Sequence, residues 1–127
     1  MFSLVSKITD SELEVMRVLW ETDDDLPIAD IRKRLEQSSK WESSTIKTLL
    51  RRLCEKGVVQ QTKKEVFYHK ALVSEPEYNE YITQNLIDRL YSGSAKNLIA
   101  SLFDSKKLNS KDIEELRNIF KVGEIDE

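Results

Sequence analysis

The sequence predicts a mainly α-helical chain with one small β-hairpin: an N-terminal three-helix unit that ends in the hairpin, followed by a C-terminal helical region. Three observations predict this fold class. Apolar residues recur at helical spacing within residues 42–57, apolar and polar residues alternate after Gly57, and helical spacing returns after Leu72. With 127 residues, 34% of them charged, the chain has room for one core and favours helices with solvated outer faces over a large buried sheet.

Two helices are predicted at the start of the chain. Thr9 and Glu12 have the spacing of a capping box and begin a helix that we expect to end near Thr22. Its apolar residues are Leu13, Val15, Met16, Leu19 and Trp20. Residues 23–25, all aspartate, predict a solvated acidic loop, and Pro27 marks the start of the second helix. The second helix has an apolar edge and an exposed basic edge, formed by Ile28, Ile31 and Leu35 and by Arg32, Lys33 and Arg34, respectively.

The third helix, predicted at residues 43–56 after Trp41, combines a buried stripe with a polar face suited to DNA. The stripe consists of Ile46, Leu49, Leu50 and Leu53. At about 100° per residue the opposite face centres on Ser44, Thr48 and Arg51, flanked by Lys47 and Arg52. Short hydroxyls and cations on one face suit a helix in a DNA major groove, although an ordinary surface helix has the same kind of face.

A hairpin is predicted directly after this helix. Residues 58–62 and 66–70 are rich in β-branched and aromatic residues, and Lys63, Lys64 and Glu65 separate them. Three helices followed by a basic hairpin form a winged helix-turn-helix. The two lysines are candidates for phosphate contact, although lysine at a hairpin tip also protects strand edges against aggregation. His69, the only histidine, is expected to be a packed strand residue because no second histidine or cysteine lies nearby to share a metal.

Three further helices are predicted after the hairpin. The first covers residues 74–92, the second covers residues 95–103, and the third begins after Asn109 with Asp112 at its third position. In the third helix the residues expected to face inward are Ile113, Leu116, Ile119 and Phe120. Helices of this length cannot make an independent core of useful size, so we expect a second copy of the chain to complete it. The predicted domains are therefore residues 1–73, a winged-helix DNA-binding domain, and residues 74–127, a helical dimerisation domain.

The charge distribution supports a polyanionic partner for the middle of the chain. The net charge is only −3, but residues 32–70 carry 11 Lys and Arg against four acidic residues, a net of +7. Residues 74–127 carry a net of −4. A basic middle with an acidic tail is expected when one part of a protein faces a nucleic acid and the other does not.

Several other classes of protein do not fit the sequence. No nucleophile elbow, phosphate loop, zinc-ligand cluster or carboxylate pair stands in a recognisable setting, so we predict no enzyme, no metal and no cofactor. Cys54 is the only cysteine, which excludes an internal disulfide and favours a reducing compartment. No signal peptide is recognised, and the longest nearly apolar stretch, residues 98–103, is far too short to span a bilayer. We expect a cytoplasmic protein that is not inserted in a membrane.

Several motifs along the chain carry a resemblance to a known family: residues 11–16 with Leu19 and Trp20, Trp41 with residues 44–53, Lys56 and Gly57, and residues 112–117. In these motifs the chain resembles the penicillinase-repressor family, the BlaI/MecI/CopY group. The likeness extends from about residue 8 to residue 120 in the same order and spacing. It implies homodimeric winged-helix repressors that bind palindromic operators through the N-terminal domain and dimerise through the C-terminal helices.

The resemblance also implies a way in which repression ends. In the β-lactam-responsive members of the family, a membrane sensor detects the antibiotic and the repressor is cleaved within the dimerisation region. The family's Asn-Phe cleavage position aligns with Ser101 and Leu102 here, so the asparagine is replaced while an apolar residue still follows the bond. Leu102 can equally be a simple dimer-core residue. The Cys-x-Cys motifs of the copper-responsive branch are absent from the C-terminal residues, so copper sensing is not predicted.

The residue patterns predict a DNA-binding transcriptional repressor, and the resemblance implies that it controls β-lactamase or related resistance genes. The expected base or phosphate contacts are Ser43, Ser44, Thr45, Lys47, Thr48 and Arg51, with Arg52, Lys63 and Lys64 expected at phosphates alone. The expected dimerisation residues are Tyr78, Ile82, Leu86, Leu90, Leu98, Leu102, Phe103, Leu116 and Phe120. Operator DNA, a second copy and a membrane-bound sensor protease are the expected partners. The alternatives are a winged-helix repressor released by an unknown ligand and a winged-helix module that binds another protein.

Overall fold

The computed structural model describes residues 8–37 and 41–120 and contains six helices and three strands in those ranges. In chain order they are α1 Asp10–Trp20, β1 Leu26–Pro27, α2 Ile28–Leu35, α3 Ser43–Glu55, β2 Val59–Lys63, β3 Phe67–Ala71, α4 Glu75–Leu90, α5 Ala95–Asp104 and α6 Ser110–Phe120. The chain divides into two compact units, residues 1–83 and residues 84–127. The predicted fold class, mainly helical with a hairpin wing, is confirmed.

The first unit is a winged helix whose sheet has one strand more than the sequence predicts. The three strands lie in the order β1-β3-β2 and both pairings are antiparallel. The hairpin of β2 and β3 was predicted, but β1 was not. Leu26 pairs with His69 and Pro27 with Tyr68, and proline is tolerated here because β1 is an edge strand. Pro27 is also the N-cap of α2, which agrees with its predicted role at the start of that helix.

The core of the first unit lies among its three helices and the sheet. Its most deeply buried apolar residues are Val15, Met16, Ile31, Leu35, Ile46, Leu50, Leu53 and Val58. Each large apolar side chain buried in this way contributes roughly 1.5–3 kcal/mol to stability. Tyr78, in the first turn of α4, joins this core and packs against Trp20 with ring centroids 5.7 Å apart.

One buried ion pair fixes the end of α3 against the start of α1. The Lys56 Nζ atom lies 2.5 Å from Glu12 Oε1, and the Glu12 side chain is almost completely buried. The same carboxylate accepts a hydrogen bond from the Thr9 backbone N–H at 3.0 Å and completes the predicted capping box. Because a buried charge is costly without a partner, this pair holds the C-terminus of α3 in one position relative to α1.

The helices of the second unit begin as predicted but leave apolar side chains uncovered. The Asp112 backbone N–H donates to Asn109 Oδ1 at 2.8 Å, and the Asn109 N–H donates to Asp112 Oδ2 at 3.1 Å. Three of the four α6 residues expected to face inward are exposed in the single chain: Leu116 is 38% exposed, and Ile119 and Phe120 are each 67% exposed. Ile113 is partly buried. The expectation assigned these residues to a core completed by a second copy, and the elements in residues 8–37 and 41–120 do not cover them.

Candidate nucleic-acid interface

Helix α3 is positioned by its apolar stripe and ended by Gly57. All four residues of the stripe are buried, namely Ile46, Leu49, Leu50 and Leu53. Gly57 has a φ of +82° and donates its N–H to the Cys54 carbonyl at 3.0 Å. This left-handed conformation favours glycine and satisfies one of the free carbonyls at the helix end. The stripe thus holds α3 on the core with its polar face turned outward.

The exposed face of α3 contains the side chains predicted to contact DNA, and three of them, Ser43, Thr48 and Arg51, have partners within the protein. Thr48 Oγ1 donates to the Ser44 carbonyl at 3.0 Å, so its hydroxyl hydrogen is used within the helix. The Arg51 Nη1 atom lies 3.2 Å from Glu55 Oε2, and both side chains are more than 60% exposed. Thr45, Lys47 and Arg52 are also exposed. The described residues include no ion-pair partner for Lys47 or Arg52.

Helix α2 adds cations that were not among the predicted contacts. Arg32 donates from Nη1 to Ser43 Oγ at 3.0 Å and so joins α2 to the first residue of α3. Arg32 and Lys33 line a shallow cleft together with Lys47 of α3. The basic run at residues 32–34 was recognised in the sequence, but only the packing of α2 on α3 brings two of its members beside the α3 face.

The hairpin carries its two tip lysines over aromatic rings. The Lys63 Nζ atom lies 4.8 Å from the ring centroid of Phe67, and the Lys64 Nζ atom lies 4.8 Å from that of Tyr68. Lys64 also lies 3.6 Å from Asp25 Oδ2. Cation–π contacts of this kind are attractive, so they favour positions of the two ammonium groups over the aromatic rings of the sheet. The hairpin therefore presents cations at its tip, as predicted for a wing.

A groove of about 530 Å³ lies between α3 and the hairpin, with His69 in its lining. Its other polar residues include Lys47, Arg51, Cys54 and Gln61. His69 is fully buried, as its predicted packed role requires, and burial lowers the pKa of its ring below the ordinary value of 6.5. Its Nε2 atom lies 3.3 Å from Gln61 Nε2. The Nδ1 atom has no hydrogen-bond partner among the described residues. The backbone of Leu26, which pairs with His69 in the sheet, raises the pKa of the ring, but this effect is smaller than the lowering by burial.

Cys54 is half-buried in the same groove and is a poor nucleophile. Burial raises the pKa of its thiol, and the neighbouring Glu55 carboxylate acts in the same direction. Because the thiolate is the reactive form of cysteine, this environment keeps the thiol protonated. No group of three or more His, Cys, Asp or Glu side chains in the described ranges is arranged to hold a metal ion.

The predicted cleavage position lies inside α5. The Ser101 carbonyl accepts the Ser105 N–H at 3.0 Å, and the Leu102 carbonyl accepts the Lys107 N–H at 2.8 Å. Ser101 Oγ also accepts a hydrogen bond from the Tyr91 hydroxyl at 3.2 Å. Both residues that flank the bond are only partly exposed, so a protease has no extended segment to bind while α5 is folded.

The predicted dimerisation residues differ in how much surface they offer. Leu86, Leu90, Phe103, Leu116 and Phe120 are all exposed, and Ile82, Leu98 and Leu102 are partly buried. Tyr78 differs, because it is only 9% exposed and belongs to the core of the first unit. It therefore has little surface left for a second copy. No helix in residues 8–37 and 41–120 has the length and apolarity needed to cross a bilayer.

Comparison with known proteins gives consistent relatives over most of the chain. Residues 8–121 match the family model described as penicillinase repressor. The chain is 30% identical over 116 residues to a penicillinase repressor of Bacillus licheniformis, covering 91% of this chain and 90% of that protein. It is 30% identical over 114 residues to the methicillin resistance regulatory protein MecI of Staphylococcus aureus strain N315, covering 89% and 92%, respectively. Among solved structures, the DNA-binding domain of the repressor BlaI matches with a TM-score of 0.52 and 35% identity, covering 58% of this chain and 90% of that one.

Proposed function

The chain belongs to the penicillinase repressor family, and from this premise we propose that it represses transcription by binding operator DNA as a homodimer. The observation that carries the proposal is the exposed polar and basic face of α3 beside a basic hairpin. Relatives named as a penicillinase repressor and a methicillin resistance regulator support control of β-lactamase or related resistance genes. No catalytic activity is proposed.

In this proposal α3 reads the major groove and the hairpin contacts the backbone. The residues proposed to contact bases or phosphates are Ser43, Ser44, Thr45, Lys47, Thr48 and Arg51, and those proposed for phosphates alone are Arg52, Lys63 and Lys64. Arg51 must leave Glu55 to reach a base. An exposed ion pair contributes about 0.2–1 kcal/mol, whereas a bidentate contact with guanine discriminates by about 1–3 kcal/mol. The exchange therefore favours the operator complex.

The exposed apolar residues of the second unit supply the proposed dimer interface. Leu90 and Phe120 are each 67% exposed in the single chain, and their pairing with a second copy removes this apolar surface from water. Two copies related by a dyad then contact two half-sites, so the operator is expected to be palindromic. Linked half-sites raise the affinity of the whole far above that of one copy.

Proteolysis within α5, by a membrane-bound sensor protease, is the proposed route by which repression ends. The bond between Ser101 and Leu102 is flanked by helical hydrogen bonds, so cleavage requires local unwinding of α5. Cutting there separates α6 from the rest of the dimerisation region and weakens the pairing of the two copies. Incubation with the cognate sensor protease, followed by mass measurement of the fragments, tests this step; an intact chain under conditions that relieve repression would contradict it.

Release by a small ligand is the second candidate mechanism. The groove between α3 and the hairpin favours it, because Lys47 and Arg51 line the groove and are also proposed DNA contacts. A ligand bound there competes directly with DNA. Relief of repression without any change in the mass of the chain would favour this mechanism over proteolysis.

The DNA-binding proposal is tested by titrating the protein into labelled duplex at several salt concentrations. Neutralised phosphates release counterions, so log K should fall linearly with log salt, with a slope of roughly −0.9 per phosphate contacted. Lys47→Gln and Arg52→Gln should each make the slope shallower by about 0.9, the value for one phosphate contact. Glu77→Gln, on the exposed start of α4, is the control and should leave the slope unchanged. A wild-type protein that binds no duplex in dilute buffer would overturn the proposal and favour a protein-binding module.

A further inference from the structure

The ion pair between Asp25 and Lys64 joins the acidic loop to the tip of the wing. Asp25 directly precedes β1, Lys64 directly follows β2, and β3 lies between these two strands. The Lys64 Nζ atom lies 3.6 Å from Asp25 Oδ2 and 4.8 Å from the Tyr68 ring centroid on β3. The lysine side chain therefore crosses the central strand of the sheet to meet a carboxylate on its far side.

The sheet keeps this carboxylate in place. The pairs Leu26–His69 and Pro27–Tyr68 fix β1 against β3, and Asp25 is the residue immediately before the first pair. The Asp25 side chain is only 31% exposed, whereas that of Lys64 is 55% exposed. The acceptor is thus held by the fold, while its cation stays accessible to solvent.

The neighbouring lysine provides a comparison within the same tip. Lys63 stacks on Phe67 at the same distance as Lys64 stacks on Tyr68. Yet the described part of the chain contains no carboxylate partner for Lys63. The wing therefore presents one cation ready for a phosphate and one already engaged by Asp25.

We propose that Asp25 competes with a DNA phosphate for Lys64 and so lowers the affinity of the wing for DNA of any sequence. The proposal rests on the proposed DNA-binding function. A phosphate contact strengthens binding to all sequences alike. While Lys64 stays paired with Asp25 it neutralises no phosphate, so each wing loses the affinity and the counterion release that this contact would supply. Asp25 is thus an internal restraint on sequence-independent binding.

Loss of any negative charge near DNA also raises affinity through the general field of the protein. Asp24 separates the two effects, because it is exposed and adjacent and its carboxylate makes no contact with Lys64. Asp24→Asn and Asp25→Asn change the net charge equally. Any excess effect of Asp25→Asn over Asp24→Asn measures the contact with Lys64.

The test is a fluorescence-anisotropy titration of the full chain with a short labelled duplex of arbitrary mixed sequence, at a series of salt concentrations. The variants are Asp24→Asn, Asp25→Asn, Lys64→Gln and the double variant Asp25→Asn with Lys64→Gln, each checked for folding by circular dichroism. We expect Asp25→Asn to bind about two- to fivefold more tightly per wing than Asp24→Asn. We also expect its salt dependence to be steeper by about 0.9 per wing. In the Lys64→Gln background this excess should disappear.

Three results would overturn the proposal. Equal affinities for Asp24→Asn and Asp25→Asn would mean that only net charge matters. An excess that persists without Lys64 would mean that Asp25 acts on another group. Weaker binding by Asp25→Asn than by the wild type would mean that Asp25 orients Lys64 for the phosphate and does not compete with it. Failure of the proposed function itself would be recognised separately, because the wild-type chain would then bind no duplex at all.

Discussion

Arg51 and Thr48 lie on the same outward face of α3 but are held differently. The Thr48 hydroxyl donates to the helix backbone and so presents its acceptor lone pairs and methyl group, whereas Arg51 pairs with Glu55 and presents a mobile cation. A methyl group can contact thymine, and a guanidinium can bind guanine through two hydrogen bonds. The two side chains therefore suit different bases in the same half-site.

Replacement of Arg51 by alanine should reduce operator affinity by about 1–3 kcal/mol per half-site, roughly five- to 150-fold, and abolish operator preference. Thr48→Ala should also abolish operator preference, through the lost methyl and hydroxyl contacts. Both residues point away from the core, so the melting temperature and the dimer should be unchanged. Glu55→Gln is the matched control. It removes the ion-pair partner of Arg51 but keeps the arginine, so it should not weaken operator binding. Sequence-specific gel retardation retained by both alanine variants would contradict the assignment of these base contacts.

His69 makes stability depend on pH in one direction. Its pKa is lowered by burial, so the folded chain favours the neutral ring. Above the ordinary pKa of 6.5 the ring is neutral in both states and has no effect. As pH falls below that value, the unfolded chain binds a proton that the folded chain does not, so the free energy of unfolding decreases until the lowered pKa is reached.

Melting temperatures measured from about pH 8 down to about pH 5.5 check this expectation. The wild type should lose stability over the acidic part of that range. His69→Gln should be less stable at neutral pH, because a packed side chain is replaced, but its stability should vary less with pH. Parallel pH profiles for the two proteins would show that another group is responsible.

At the scale of elements, local signals were sufficient for helix ends and insufficient for pairings across the chain. The caps at Thr9 and Asn109 were predicted correctly because a hydroxyl or amide three residues before a carboxylate is a short-range pattern. β1 was missed because its two residues acquire strand structure only from β3, more than forty residues later in the chain. The ion pairs Glu12–Lys56 and Asp25–Lys64 were also not predicted, because their partners lie far apart in the sequence and meet only when the core forms.

A residue with positive φ follows both α3 and α5, and substitutions at these two positions are expected to change stability in opposite directions. Gly57 has φ +82° with no atom within 4 Å of an added Cβ, whereas Lys106, in the turn after α5, has φ +66°. A left-handed conformation costs a residue other than glycine roughly 1–2 kcal/mol. Gly57→Ala should therefore destabilise the protein by about 1 kcal/mol, and Lys106→Gly should stabilise it by a similar amount.

Urea denaturation checks both values, with Lys106→Ala as the control that removes the lysine side chain but keeps the strained conformation. A Gly57→Ala variant as stable as the wild type would mean that the end of α3 relaxes without cost. Lys106→Gly should also slow limited proteolysis within α5, since the Lys106 N–H donates to the Phe103 carbonyl in the turn that ends this helix. Equal rates for Lys106→Gly and Lys106→Ala would contradict this coupling.

At the scale of the whole molecule, the two units differ in what they can do alone. The first unit has a closed core and carries the residues proposed to contact DNA, whereas the second leaves Leu90, Ile119 and Phe120 largely exposed. The sequence indicated that these helices need a partner, but it could not identify which side chains remain uncovered. Tyr78 illustrates the difficulty, because its helical spacing matches that of the exposed Leu86, while its ring, together with Ile82, packs against the core of the first unit.

Replacement of Leu102 by aspartate should shift the protein from dimer to monomer in analytical ultracentrifugation. A stable dimer of this kind buries on the order of 1,200–2,000 Å² in total, and a charge placed within that surface is costly to desolvate. Asn97→Asp adds the same charge to an exposed position of the same helix and should leave the dimer intact. An unchanged dimer in Leu102→Asp would mean that the interface lies elsewhere on the second unit.

Footprinting of the DNA upstream of this protein's own gene tests the central claim most directly. The account predicts two protected half-sites of inverted sequence, with centres separated by a whole number of helical turns of about 10.5 base pairs. It also predicts that protection is weakened by added salt and lost in Arg51→Ala. Absence of protection in dilute salt, or a single protected segment without inverted symmetry, would contradict a dimeric repressor that reads its operator through α3.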